Sequence, residues 1–199
     1  MGLEQSRRVI SWLGQRFPTP APNYVKWQVL KKWGGDKTWI ETGTYTGETT
    51  HFLSLMAETV FSIEPAKAFA IQAKEKFKNI GNVHIVEGTS EQNLDATLMS
   101  LNSDQLLDVS FWLDGHFSGG NTFLAEKECP ILDELAVIGT FLDKFEKITI
   151  LIDDVRFFSP SGSNIGGYPS LSFLVEWADK RKLRWGIECD IFIMSNRVV

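Results

Sequence analysis

Several short stretches of the sequence end in side chains that could do chemistry. Glu41-Thr-Gly43-Thr44-Tyr45-Thr-Gly47 sets a carboxylate beside a pair of glycines, and Ser62-Ile-Glu64-Pro65 delivers a second acid. Phe111-Trp-Leu-Asp114-Gly115-His116 runs from buried-type residues straight into an acid and an imidazole, with Gly119 and Gly120 beyond, and Leu151-Ile-Asp153-Asp154 supplies a pair of carboxylates. Glycines at 43 and 47 let backbone approach a ligand closely, and the amides of a helix that starts there are free to donate. The spacing acid-x-Gly-x-x-x-Gly is not the Gly-x-Gly-x-x-Gly dinucleotide fingerprint, and an acid in that place suits a cationic ligand. An ordinary tight turn with structural glycines is the competing explanation for the first motif, and helix capping or loop ordering for the aspartates.

The elements that would position these groups are short β-rich runs alternating with helical segments. Thr38 to Glu41, Thr59 to Ile63, Val83 to Val86, Val109 to Leu113 and Ile148 to Ile152 read as strands of a parallel sheet. Their nearly continuous apolar character is that of strands covered by helices on both faces. Each run finishes at an acid or a glycine, so polar residues collect along the carboxyl edge, where open α/β sheets bind ligands. Leu183 to Glu188 and Ile191 to Ser195 are separated only by Cys189 and Asp190, too short for a parallel crossover, so the last strand is antiparallel to its neighbour. Glu4 to Arg16 and Asn23 to Trp33 read as helices around a Pro-Thr-Pro-Ala-Pro break, giving a helical prelude over residues 1–35 and one domain over 36–199. Trp27 and Trp33 are expected to be packing residues. Phe157 to Tyr168 has the composition of a loop near the site, a lid or a disordered segment.

With 199 residues, 43% of them hydrophobic, the chain can bury the core of one compact domain. A net charge of -5 and only short basic clusters argue against nucleic acid as a partner. Cys129 and Cys189 form neither a metal spacing nor a disulfide framework, and the first residues lack the apolar core of a signal peptide, so a cytoplasmic location is the expectation. Gly2 and Ser6 fit the loose myristoylation pattern, which has many chance matches. No apolar run is long enough to span a bilayer, so no membrane partner is expected. His51 and His84 are expected to be structural.

Glu64 stands about twenty residues beyond the glycines, where a carboxylate meets a ribose diol in nucleotide-binding α/β folds. Glu87-Gly-Thr-Ser90-Glu91 offers short polar side chains where an adenine would lie. At these residues the chain resembles the class I S-adenosylmethionine-dependent methyltransferases over roughly residue 36 to the end. The glycine turn is similar to the Glu-x-Gly-x-Tyr-x-Gly form of the catechol and caffeoyl-CoA O-methyltransferases. Phe-Pro-x-Pro-Ala-Pro-x-x-Val-Lys at residues 17–26, Glu-Thr-Gly-Thr-Tyr and Leu-Asp-Gly-His-x-Ser-Gly-Gly together resemble an uncharacterised bacterial group within that superfamily.

The resemblance implies a Rossmann-like, seven-stranded, mostly parallel sheet closed by an antiparallel hairpin strand, with helices on both faces. It implies S-adenosylmethionine as cofactor, with Glu41, Gly43, Thr44, Tyr45 and Gly47 toward its methionine part, Glu64 on the ribose, Ser90 near the adenine, and Asp114 beside the methyl donor. In the catechol-type enzymes positions like Asp114, Asp153 and Asp154 hold a divalent metal, and such hard oxygen ligands favour Mg²⁺, Ca²⁺ or Mn²⁺. Asp154 departs from the family, which commonly has asparagine there. The family's lysine base after the strand-four aspartate is also missing, and His116 is the nearest replacement, so Asp114 and His116 are the catalytic candidates. The activity implied is O-methylation of a small hydroxylated molecule, such as a sugar or natural product, with a homodimer admitted. N-methylation, or a non-catalytic nucleotide- or sugar-binding module on the same scaffold, are the competing readings.

Overall fold

A computed structural model describes residues 2–115, 129–159 and 167–198. Helices α1 (Leu3–Gly14) and α2 (Asn23–Trp33) precede an alternation of strands and helices: β1 (Thr38–Thr42), α3 (Glu48–Ser54), β2 (Thr59–Glu64), α4 (Lys67–Phe77), β3 (Val83–Glu87), α5 (Ser90–Ser100), β4 (Asp108–Leu113), α6 (Ile131–Phe141), β5 (Lys147–Ile152) and α7 (Leu171–Lys180). The chain then closes with β6 (Arg184–Glu188) and β7 (Ile191–Ser195). The strands form one seven-stranded sheet in the order β3-β2-β1-β4-β5-β7-β6. All pairs from β3 to β5 are parallel, and β7 is antiparallel to both β5 and β6.

Side-chain alternation along the strands divides the core in two. Ile40, Ile63, Phe111, Leu113, Ile150, Ile152, Phe192 and Met194 face α5, α6 and α7, whereas Trp39, Val60, Trp112, Leu151, Ile191 and Ile193 face α2 and α3. Strands β1 and β4 are buried at every position, as continuous apolar runs require. The two edge strands depart from that expectation: β3 and β6 are only half covered, each having a neighbouring strand on one side alone.

The two N-terminal helices have different fates. Val29 and Leu30 of α2 are core residues, Trp27 stacks on Phe52 of α3 at 5.2 Å and donates its indole N–H to Thr49 Oγ1 at 3.1 Å, so α2 is packed into the domain. Helix α1 buries no residue. Among the described residues, no helix is long and apolar enough to cross a membrane.

Candidate active site

The strand order reverses between β1 and β4, which opens a crevice beyond their carboxyl ends. The parallel ladder continues one residue past the strands and aligns the chemistry there. Gly43 N–H donates to Ile63 O at 2.9 Å, Asp114 N–H to Thr42 O at 3.1 Å, Asp153 N–H to Leu113 O at 3.1 Å and Gly88 N–H to Glu64 O at 2.9 Å. Gly43, Glu64, Asp114 and Asp153 therefore share one edge, although the sequence separates them widely.

The glycine turn is fixed from both sides. Gly43 has φ +90°, and a Cβ on it would stand 2.6 Å from the Asp114 carbonyl oxygen. The glycine lets β1 and β4 close on each other at the switch point. Gly47, at φ +70°, caps α3, and a Cβ there would stand 2.7 Å from the Phe77 ring. Tyr45 holds φ 48° without being glycine and keeps its ring edge-on to Phe69, half exposed. Glu64, 4% exposed, latches this strained turn: one carboxylate oxygen accepts the Tyr45 N–H at 2.7 Å and the other the Ala66 N–H at 2.8 Å. Thr44 is buried with its hydroxyl 2.6 Å from Ser62 Oγ. Ser90 opens α5, nearly buried, with its hydroxyl 3.5 Å from the Glu91 carboxylate.

Glu41 lies deeper than its place at the end of a strand suggests. It is 0% exposed, beneath α3, and its Oε2 accepts from Thr50 Oγ1 at 2.5 Å and Ser62 Oγ at 2.6 Å, while Oε1 has no partner. Burial pushes its carboxyl up to about 7 against the two hydroxyl bonds. The native state then holds a proton that the unfolded chain releases near pH 4.5, so the stability from this group is full below pH 4.5 and is lost as pH rises to about 7. At about 1.4 kcal/mol per pKa unit the loss approaches roughly 3 kcal/mol. Glu41→Gln is expected to flatten that part of the curve in urea denaturation between pH 5 and 8; parallel curves for the two proteins would show Glu41 already ionised in the fold.

The aspartates are placed together but are engaged from within. Lys26 of α2, largely buried, donates its ammonium to Asp153 Oδ2 and lies 3.5 Å from Asp154 Oδ1. Burial pushes its pKa down, but Asp153, Asp114 and Asp154 outweigh burial and hold it above the ordinary lysine value. The second oxygen of Asp153 accepts the Asp154 N–H at 2.8 Å, and Asp154 Oδ1 accepts from Arg156 Nη1 at 2.5 Å. Arg156 also donates to Asp190, whose backbone carbonyl receives the Val155 N–H at 2.9 Å, tying the β6–β7 turn to the end of β5. Asp154 takes up a left-handed conformation at φ 58°, which asparagine and aspartate tolerate best. Its charge faces both Arg156 and Lys26.

Asp153 and Asp154, expected with Asp114 to hold a divalent metal, meet the Lys26 ammonium at this edge. Among the described residues no group of three His, Cys, Asp or Glu side chains is disposed to hold a metal ion, and an ammonium already bonds the carboxylates a metal would need. The residues do not fit the ion. His116 lies outside the described residues, as do Gly119, Gly120 and the middle of the 157–168 segment. The ends of that segment are anchored: Phe158 and Tyr168 are buried and meet edge-on at 5.3 Å. His84 stacks on Phe61 at 4.9 Å, away from the carboxyl edge, and His51 is exposed on α3.

Lys26, Arg156 and Asp190 were not singled out by the sequence reading. A signal for Lys26 existed, because it shares the α2 face of Val29, Leu30 and Trp33 at helical spacing, and a lysine in an apolar stripe needs a buried partner.

No protein-family model matches the chain, and no curated protein matches it. Solved structures do. The O-methyltransferase TomG from Streptomyces achromogenes, involved in tomaymycin synthesis and solved with S-adenosylmethionine, is similar at a TM-score of 0.59 and 15% identity, covering 98% of this chain and 89% of that one. An O-methyltransferase from Bacillus cereus, solved with S-adenosylhomocysteine, gives a TM-score of 0.58 at 13% identity, covering 98% and 90%. Precorrin-6y C5,15-methyltransferase from Geobacter metallireducens gives 0.53 at 12% identity, covering 89% and 88%. The fold is that of the S-adenosylmethionine-dependent methyltransferases.

Proposed function

We propose that the protein is an S-adenosylmethionine-dependent methyltransferase that methylates a hydroxyl group of a small molecule. The observation that carries this reading is the glycine turn at the β1/β4 switch point, latched to the Glu64 carboxylate through the Tyr45 amide. The donor set suits this cofactor: Glu64 keeps lone pairs beyond the two it uses, and Glu41 has a buried oxygen without a partner beneath the turn. When bound, the cofactor supplies an electrophilic methyl group on a sulfonium. Glu64 would hold the ribose, and the backbone of residues 43–47 the methionine part. The hydroxyl acceptor is supported by the O-methyltransferases among the similar folds.

The protein's own contribution is positioning and a proton acceptor. Lys26, held protonated by its three aspartates, is a poor base at neutral pH, and His116 is the group we assign to take the acceptor's proton. His116→Ala is expected to lower turnover by about 10²-fold with cofactor affinity unchanged. The wild-type rate should rise with pH around the ordinary imidazole range of about 6.5, and that limb should vanish in the variant. A variant with the wild-type rate and pH profile would remove His116 from the chemistry.

The decisive experiment is calorimetric titration with S-adenosylmethionine, S-adenosylhomocysteine and NAD, followed by radiolabelled methyl transfer to hydroxyl and amine acceptors. Binding of the first two and transfer to hydroxyls is expected. Binding of NAD alone would overturn the cofactor, transfer to amines alone the acceptor class, and binding without transfer to any acceptor would leave a binding module.

A further inference from the structure

Helix α2 reaches the catalytic edge with a single charged side chain. Lys26 is 127 residues from Asp153 in sequence, only 11% of its side chain is exposed, and its ammonium bonds Asp153 and neighbours Asp154. We propose that Lys26 is the resident cation of this edge, standing where a divalent ion would otherwise be bound, so that methyl transfer needs no divalent metal. The lysine is carried by a helix whose Val29 and Leu30 are core residues, so its backbone is fixed beside the aspartates. Both oxygens of Asp153 are already acceptors, and Asp154 is shared with Arg156. The consequence for turnover rests on the methyltransferase reading; the consequence for metal binding does not.

The test is Mn²⁺ titration of the metal-stripped chain, read by the paramagnetic resonance of free Mn²⁺. Wild type and Lys26→Arg are expected to take up none. Wild-type uptake that Asp153→Asn abolishes would overturn the proposal. In any methyl-transfer assay the wild type should keep its full rate in a chelator; if no transfer is found with any acceptor, the functional reading fails while the Mn²⁺ result still decides this one.

One edge of the sheet carries a separate signal. Strand β6 is outermost, and Trp185 and Ile187 on it are 45% and 46% exposed. Cys189 and Asp190, at φ 51° and 70°, make a two-residue turn of the primed type, so Glu188 and Ile191 flank it as a hydrogen-bonded pair. The alternation of an antiparallel ladder then turns the backbone N–H and C=O of Trp185 and Ile187 outward. The geometry points to a second copy of this chain pairing antiparallel along β6 about a two-fold axis at Gly186. In that register Trp185 exchanges backbone bonds with Ile187 of the partner subunit, and Arg184 stands opposite Glu188 of the partner subunit, a carboxylate that also accepts from Lys32 of its own chain at 2.5 Å. Nothing lies within 4 Å of a Cβ built on Gly186, which leaves the axis open for close approach. The strand carries no proline, the commonest block to such pairing.

Sedimentation equilibrium at about 100 μM chain, where a micromolar dimer is mostly formed, is expected to give a dimer. Arg184→Glu and Glu188→Arg should each shift it toward monomer by setting like charges opposite one another, and the double exchange should restore it. A monomeric wild type would overturn the proposal, as would a dimer indifferent to both single changes.

Discussion

Asp153→Ala is expected to destabilise the fold by about 3–5 kcal/mol, the cost of leaving a buried charge without its partner. For a domain of this size that corresponds to a fall in Tm of roughly 6–20 °C. The side chain is 2% exposed, and its loss takes the nearest carboxylate from the largely buried Lys26 ammonium while also removing the acceptor of the Asp154 N–H. Replacing both partners by apolar residues of similar size, Lys26→Met with Asp153→Leu, should recover most of the loss, because the expense lies in the unpaired charge and not in the missing bond. Urea denaturation of the two single variants and the double variant measures this coupling. A cost below about 1 kcal/mol for Asp153→Ala would mean that the pair behaves as a solvated surface bridge.

Glu64→Ala is expected to weaken S-adenosylhomocysteine binding by about 10²–10⁴-fold. Its carboxylate would accept two ribose hydroxyls, and bonds to a charged acceptor are each worth roughly 1.5–3 kcal/mol; it also accepts two backbone N–H groups of the turn. One of them restrains Tyr45 in the left-handed region, a conformation that costs about 1 kcal/mol or more for a residue with a side chain. Without the latch the turn relaxes and loses its ligand-facing shape, and the ribose loses its acceptor. Glu64→Gln, which keeps an acceptor for the Tyr45 amide but no charge, should fall between the two. Calorimetric titration checks this, with circular dichroism to establish that the variants are folded. Affinity within twofold of wild type in a folded Glu64→Ala protein would remove Glu64 from the cofactor site.

The sequence by itself determined the features that depend on near neighbours. The alternation of apolar runs and helical segments set the order of the elements, since burial on two faces leaves no room for polar residues in the strand interior. The two residues between β6 and β7 imposed an antiparallel last strand, because no crossover fits in that length. Glu41, Glu64, Asp114 and Asp153 were legible as edge residues because each follows an apolar run directly.

The tertiary structure alone decided what those acids face. Parallel pairing set Gly43 against the Asp114 carbonyl, so the glycine serves the closure of two strands. The packing of α3 over β1 put Glu41 on two hydroxyls and away from water. The docking of α2 supplied Lys26 as the cation for aspartates that, read in isolation, resembled a metal centre. A carboxylate's place along a strand follows from local periodicity. Its counter-charge is whatever long-range packing brings within a few ångströms, and short-range spacing carries no record of that.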